Sequence, residues 1–123
     1  MTPFGVGNVL DNALTGNAVA NSLLGGAGND TLNGMGGNDV LWGQAGADTF
    51  ILQRGTGIDV IADFEPGIDR IGLSGTALHD FEALLEATVQ YGPSCAVDLG
   101  GGDRMILRNV PKAALHETDF LFN

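Results

Sequence analysis

Positive charge is the first thing that this 123-residue chain lacks. Five Lys and Arg residues stand against fifteen Asp and Glu residues, which gives a formal net charge of −10 and an isoelectric point of about 4.1. Phosphate backbones and anionic membrane surfaces repel such a chain, so we expect no nucleic-acid partner. No stretch approaches about 18 consecutive apolar residues, so no membrane insertion is expected either.

Cysteine and catalytic motifs are also scarce. Cys95 is the single cysteine, which excludes a disulfide within the chain and predicts a small, partly buried apolar side chain. His79 and His116 are isolated in the sequence and are predicted to lie on the surface. Neither H-E-x-x-H nor G-x-S-x-G occurs, so no enzymatic activity is expected. The segment MTPFGVGNVL has no basic stretch before an apolar run, so no cleavable signal peptide is expected there.

Glycine, by contrast, is abundant, and it recurs with a period of nine residues between Gly25 and Ile51. The segment reads GGAGNDTLN, GMGGNDVLW and GQAGADTFI, with Gly at positions 1 and 4, Asp at position 6 and a large apolar residue at position 8. Positions 1 to 6 predict a tight turn, and the last three predict a minimal strand whose middle side chain faces inward. Each unit reverses the chain once, so turns two units apart stack about 4.8 Å apart along a roll.

Stacking brings the Asp side chains of like turns together. Two carboxylates about 5 Å apart repel by about 3 kcal/mol at an effective dielectric constant of about 20, and a divalent cation between them reverses the sign. Calcium takes about 6–8 oxygen ligands, which carboxylates and backbone carbonyls supply. The spacing therefore predicts several Ca²⁺ ions and a fold that depends on them. The predicted ligands in the central units are Asp30, Asp39, Asp48 and the carbonyls of Gly26, Gly28, Gly37 and Gly46.

Weaker copies of the repeat flank the central units. Residues 7–15 and 16–24 carry Asn12 and Asn21 at position 6, which predicts turns that bind calcium weakly. After a two-residue slip, residues 54–62 and 63–72 resume the frame with Asp59 and Asp69 at position 6, and Asp63 adds a carboxylate. Two interpretations stay open for these last three residues: one further calcium site, or side chains that cap turns and face water.

The pattern changes after residue 72. Apolar side chains at helical spacing over 79–88 predict a short amphipathic helix that covers the open end of the roll. Residues 95–99 and 104–108 alternate around a Gly-Gly-Gly-Asp turn and predict a hairpin, followed by a helical turn at 112–116 and a short strand at 119–122. We therefore expect one mainly all-β module over residues 1–123. A right-handed parallel β-roll would occupy residues 7–72, and a C-terminal cap with one helix and a hairpin would occupy 73–123.

The central array resembles the calcium-binding nonapeptide repeat of RTX proteins. The run ADTFILQRGTGIDVIADFEPGIDRIGLSG is similar to the end of the roll in serralysin-type proteases, secreted lipases and mannuronan epimerases. Met35 and Gln44 depart from the family pattern at position 2. The resemblance implies a non-catalytic C-terminal module of a larger protein, secreted to the outside by a type I exporter. It also implies a terminal export signal, for which residues 119–123 are the candidate.

Two functions stay open at the level of sequence. In the first, calcium folds the module after type I secretion, and the folded roll caps and stabilises a larger secreted protein. In the second, which the resemblance to epimerases suggests, the calcium-loaded roll binds an acidic extracellular polysaccharide. The candidate contacts for that polysaccharide are Trp42, Arg54 and Arg70.

Overall fold

Short strands that alternate between two sheets build the repeat region. The computed structural model describes residues 4–8, 10–17 and 19–122 of the chain. Odd-numbered strands of the repeat region pair in parallel with odd ones, and even-numbered strands with even ones, which confirms the parallel β-roll. In chain order the strands are β1 (Phe4–Val6), β2 (Ala13–Thr15), β3 (Ser22–Leu24), β4 (Thr31–Asn33), β5 (Val40–Trp42), β6 (Thr49–Gln53), β7 (Ile58–Ile61) and β8 (Arg70–Ser74).

Inward side chains from the repeat strands form the core of the roll. Leu32 lies opposite Phe50 in one sheet, and Leu41 lies opposite Ile61 in the other. All four side chains are fully buried, whereas the residues on either side of them point outward and are at least partly exposed. The inward positions predicted from the nine-residue period are therefore confirmed at Leu32, Leu41 and Phe50.

Glycine gives the turns their shape. The position-4 residues Gly28, Gly37 and Gly46 have φ values of 97°, 82° and 103°, a region that L-residues rarely adopt. Stacked turns also approach closely, because a Cβ on Gly46 would lie 2.1 Å from the carbonyl oxygen of Gly28. No side chain larger than hydrogen fits at this position.

The C-terminal part extends both sheets instead of only covering the end of the roll. It contains α1 (Phe81–Glu86), β9 (Thr88–Tyr91), β10 (Ser94–Gly100), β11 (Asp103–Leu107), 3-10 turns at Lys112–Ala114 and Glu117–Asp119, and β12 (Phe120–Phe122). The predicted hairpin is β10–β11, and β11 pairs in parallel with β7. Strand β12 pairs in parallel with β8. The sheet orders are β1-β3-β5-β7-β11-β10-β9 and β12-β8-β6-β4-β2.

Some details differ from the sequence-based expectations. The helix is shorter than predicted because the Asp80 carboxylate caps its first turn, accepting the Ala83 N–H at 2.7 Å, and because Thr88 already begins β9. Cys95 is fully buried in β10, not partly buried. Both His79 and His116 are exposed, as predicted. None of the helices formed by the described residues is long and apolar enough to cross a bilayer.

Candidate metal centre

The strand order places the turns on two opposite edges of the roll. Turns that lead into the five-stranded sheet lie on one edge, and turns that lead into the seven-stranded sheet lie on the other. The first edge carries Asn12, Asp30, Asp48 and Asp69 at position 6, and the second carries Asn21, Asp39 and Asp59. Like turns therefore stack at every second unit.

One oxygen of each stacked carboxylate accepts a backbone hydrogen bond from the preceding turn on the same edge. Asp30 Oδ1 accepts the Asn12 N–H at 2.7 Å, and Asp48 Oδ1 accepts the Asp30 N–H at 2.9 Å. Asp69 Oδ1 continues the series by accepting the Asp48 N–H at 2.8 Å. On the other edge, Asp39 Oδ1 accepts the Asn21 N–H at 2.7 Å and Asp59 Oδ1 accepts the Asp39 N–H at 2.9 Å.

The three central turns (25–30, 34–39 and 43–48) differ from the others in the hydrogen bonding of the second carboxylate oxygen. In Asp30, Asp39 and Asp48 the Oδ2 atom is buried and has no hydrogen-bond partner, and each residue is 1% exposed. Such an open oxygen loses its hydration without compensation, which is costly for a charged group. A bound cation supplies the missing partner, so these three carboxylates fit a metal.

Position-6 side chains of the flanking turns have no open oxygen. Asp59 Oδ2 accepts a hydrogen bond from the Thr56 hydroxyl, and Asp69 Oδ2 accepts the Glu65 N–H at 2.9 Å. The asparagines close their own turns as well. Asn12 Oδ1 accepts the Asn8 N–H at 2.7 Å, and Asn21 Oδ1 accepts the Asn17 N–H at 2.8 Å.

A backbone carbonyl points into the same space as the open oxygen. A Cβ on Gly25 would lie 2.6 Å from Asp30 Oδ2 and 2.8 Å from the carbonyl oxygen of Gly43, the first residue of the next turn on that edge. Carboxylate and carbonyl oxygens are the ligands that Ca²⁺ prefers. The repeat pattern predicted carbonyl ligands at positions 2 and 4, but not at position 1. The glycine at position 1 of every central unit was the available signal, because a side chain there would fill the site.

The carbonyls of Gly26, Gly28, Gly37 and Gly46, at positions 2 and 4, stay predicted ligands. The carbonyls of Gly28 and Gly37 point along the roll axis toward the next stacked turn, at 2.1 Å from a Cβ on Gly46 and 2.6 Å from a Cβ on Gly57. Gly26 and Gly46 hold left-handed backbone at φ values of 87° and 103°. Calcium binding by these four carbonyl groups stays a prediction.

The repeat region matches a known family. Residues 15–50 match the family model of the RTX calcium-binding nonapeptide repeat, in four copies. The chain carries RTX calcium-binding repeats. The matched segment includes all three central turns and their open oxygens.

One solved structure extends the likeness in fold beyond the RTX repeats. The extracellular lipase LipA from Serratia marcescens is similar over 98% of this chain, with 22% identity and a TM-score of 0.68, which supports the fold of roll and cap together. The chain spans 21% of the lipase's length. The AlgE6R3 subunit of the Azotobacter vinelandii mannuronan C5-epimerase aligns with 92% of this chain and 78% of its own length, at 28% identity and a TM-score of 0.39. No curated protein sequence matches significantly.

The electrostatics of the RTX roll also favour a cation. Burial raises the pKa of Asp39 to about 7, and the charge of Asp59 adds to this effect. Burial likewise raises the pKa of Asp48 to about 7, with further contributions from the charges of Asp69, Asp30 and Asp63. Within the described part of the chain, no Lys or Arg pairs with these carboxylates. A bound cation would stabilise their ionised form.

Asp63 lies on the edge of Asp48 and Asp69, not on that of Asp59. Its two oxygens accept the N–H groups of Gly43 at 2.9 Å and Gln44 at 2.8 Å. Asp59, Asp63 and Asp69 therefore do not share one site, because the roll separates the two edges. Nor do three or more His, Cys, Asp or Glu side chains in the described ranges form a group that could hold a metal. Backbone oxygens must complete any coordination shell.

Proposed function

We propose that calcium folds this RTX roll outside the cell, after type I secretion, and that residues 7–72 and 73–123 act as the roll and cap of one module that stabilises a larger secreted protein. The open oxygens of Asp30, Asp39 and Asp48 carry the proposal. Each leaves a buried acceptor unsatisfied in the metal-free fold, at a cost of about 1–3 kcal/mol or more. A ligand at a hundredfold excess over its Kd adds about 2.7 kcal/mol per site, so a few sites decide whether the roll folds.

The ligand assignment follows from the same atoms. Calcium, when bound, supplies positive charge between stacked turns. We assign it to the carboxylates of Asp30, Asp39 and Asp48, together with backbone carbonyls of the stacked turns, among them Gly28, Gly37 and Gly43. Asn12 and Asn21 offer neutral oxygens that already accept hydrogen bonds, so they fit weaker sites. Asp59, Asp63 and Asp69 hold their neighbours through hydrogen bonds.

A calcium titration tests the proposal directly. We expect the circular-dichroism spectrum of chelated protein to lose strand signal and regain it as Ca²⁺ is added. Mg²⁺ is the matched control, and it should substitute poorly because it demands tighter octahedral geometry. A melting temperature that is the same in chelator and in calcium would contradict the proposal.

The export role rests on the C-terminal strand. Asp119 and Phe120 are 1% and 5% exposed in the folded cap, and β12 forms the edge of the five-stranded sheet. Folding hides these residues, so an exporter would read them in the unfolded chain, where calcium is scarce. Asn123, the last residue of the predicted signal, lies outside the described residues. Deleting residues 119–123 should abolish secretion from a host with the exporter, whereas normal secretion would place the signal elsewhere.

Polysaccharide binding gains no support from the placement of its candidate residues. Trp42 lies in β5 of the seven-stranded sheet, and Arg70 lies in β8 of the five-stranded sheet. Arg54 belongs to a turn between β6 and β7. The three side chains do not line one face of the roll. A glycan array run with calcium checks this alternative, for which we expect no binding.

A further inference from the structure

One turn of the roll satisfies its buried carboxylate with a hydroxyl group. In the turn of residues 54–59, Asp59 is fully buried and its Oδ2 accepts a hydrogen bond from the Thr56 hydroxyl. The same hydroxyl oxygen lies 3.2 Å from the carbonyl oxygen of Met35, in the preceding turn on that edge. Thr56 therefore stands between a carboxylate and a backbone carbonyl of two stacked turns. These are the two kinds of oxygen that a cation would join.

Position 3 distinguishes this turn from the central ones. Thr56 occupies position 3 and is 2% exposed. The corresponding residues in the central turns are Ala27, Gly36 and Ala45, which have no hydroxyl. The same three turns have the open Oδ2 atoms. Of these four turns, the one with a hydroxyl at position 3 has no open carboxylate oxygen, and the three without a hydroxyl each have one.

The residue at position 1 also distinguishes the Thr56 turn from the central turns. In the central turns it is glycine, and a Cβ on Gly34 or Gly43 would lie 2.2 Å from the open Oδ2 of its own turn. The turn of Thr56 has Arg54 at this position, and arginine carries a Cβ. This turn therefore lacks the glycine that leaves room beside the open oxygens of the central turns. The Asp59 carboxylate instead faces Thr56.

We propose that the Thr56 hydroxyl takes the place of a calcium ion in its turn, so that the residues at positions 1 and 3 distinguish this turn from the three central turns that bind metal. The inference rests on the proposed function, because it presumes that the central turns bind calcium. A hydroxyl donates one proton, and a carboxylate is the stronger of the two acceptors beside it. Asp103 completes the closure by accepting the N–H groups of Gly55 at 2.8 Å and Gly57 at 3.0 Å. This turn is thus held by protein donors alone.

The first test converts the turn to the composition of the central ones. Arg54→Gly with Thr56→Ala removes both the Cβ at position 1 and the hydroxyl at position 3. We expect this double variant to bind one Ca²⁺ ion more than the wild type, as counted by isothermal titration calorimetry and equilibrium dialysis. Thr56→Ser keeps the hydroxyl and should bind the wild-type number. A folded double variant with an unchanged count overturns the inference.

The reciprocal test adds a hydroxyl to a central turn. Ala45 is exposed, so Ala45→Thr leaves the core intact and offers a donor to the open Oδ2 of Asp48. We expect one ion fewer at calcium concentrations that saturate the wild type, while Ala45→Val, of the same shape but without a hydroxyl, keeps the full number. An unchanged count in Ala45→Thr also overturns the inference.

The wild-type protein separates the two proposals. If it binds no calcium, the proposed function fails. If it binds calcium and the number of bound ions is the same in the variants, only the role of Thr56 fails.

Discussion

The central turns and the C-terminal turns share one architecture but satisfy their carboxylates differently. In the central turns, Asp30, Asp39 and Asp48 each have one oxygen on a backbone N–H and one oxygen without a partner. In the turns of Asp59 and Asp69, both oxygens accept hydrogen bonds from the protein. The roll therefore has a part whose carboxylates each keep one oxygen without a partner and a part whose carboxylates are satisfied by protein donors.

Two carboxylates of the cap continue this second pattern. Asp103 is the first residue of β11, and Asp119 is the last residue of the 3-10 turn before β12; β11 and β12 are the two strands that extend the roll sheets. They are 8% and 1% exposed. Asp103 accepts the N–H groups of Gly55 and Gly57, and Asp119 accepts those of Gly67 at 2.9 Å and His116 at 2.8 Å. Each edge of the roll therefore ends on a carboxylate that needs no metal.

Chelation should produce the largest difference between the two regions. Without calcium, we expect the open oxygens to destabilise the central turns, whereas β10 and β11 keep their mutual hydrogen bonds and the packing of Leu84, Val97 and Met105. We expect amide hydrogens of β4 and β5 to lose protection by about a hundredfold or more, while those of β10 and β11 change little, because local opening follows local stability. Hydrogen exchange read by mass spectrometry checks this. Equal loss in both regions would show that they unfold as one unit.

Single ligand substitutions should have a smaller effect, which we expect to see in the calcium affinity. Asp39 has an open oxygen, whereas the Asn12 oxygen already accepts the Asn8 N–H. We expect Asp39→Ala to weaken calcium binding at least about tenfold, which corresponds to about 1.4 kcal/mol. Asn12→Ala is the matched control and should change the affinity much less. Equal losses in a calorimetric titration would refute the assignment of the strong sites to the open oxygens.

The sequence predicted the roll well because its period is local. Nine residues define one turn and one strand, so the inward positions of Leu32, Leu41 and Phe50 follow from counting. The pairing of β11 with β7 joins residues more than forty positions apart, and no short-range pattern encodes it. The period likewise identified the position-6 carboxylates, but not which of them stay open. That property depends on a donor that the motif does not specify, such as the Thr56 hydroxyl at position 3.

Acid should partly replace calcium in the central turns. Burial raises the pKa of Asp39 and Asp48 from 3.8 to about 7, so in the metal-free chain the folded state binds more protons than the unfolded state between these values. Stability therefore rises as pH falls through this window and is lost again as pH rises toward 7. Asp59 and Asp69 shift in the same direction, also chiefly through burial. We expect a higher melting temperature at pH 5 than at pH 7.5 in calcium-free buffer.

The control for this pH effect is the double variant Asp39→Asn with Asp48→Asn. Its amides cannot titrate, so its melting temperature in calcium-free buffer should depend less on pH than that of the wild type. Saturating calcium should also flatten the profile of the wild type, because the bound cation favours the ionised carboxylates. A wild-type profile that rises from pH 5 to pH 7.5 without calcium would contradict the raised pKa values.

The smallest expected effect comes from the backbone of a central turn. Met35 has a φ of 65° at position 2, where Gly26 has 87° in the preceding unit. Left-handed backbone costs an L-residue about 1–2 kcal/mol, and glycine loses about 0.5–1 kcal/mol more chain entropy on folding, so Met35→Gly should stabilise the calcium-bound roll by about 0.5–1 kcal/mol. The Met35 side chain is 41% exposed, so little packing is lost.

Ala27→Gly is the matched control. The backbone of Ala27 is not left-handed, so this substitution should lower the melting temperature. If thermal unfolding in calcium shows both variants destabilised alike, position 2 does not carry the backbone strain that its φ indicates.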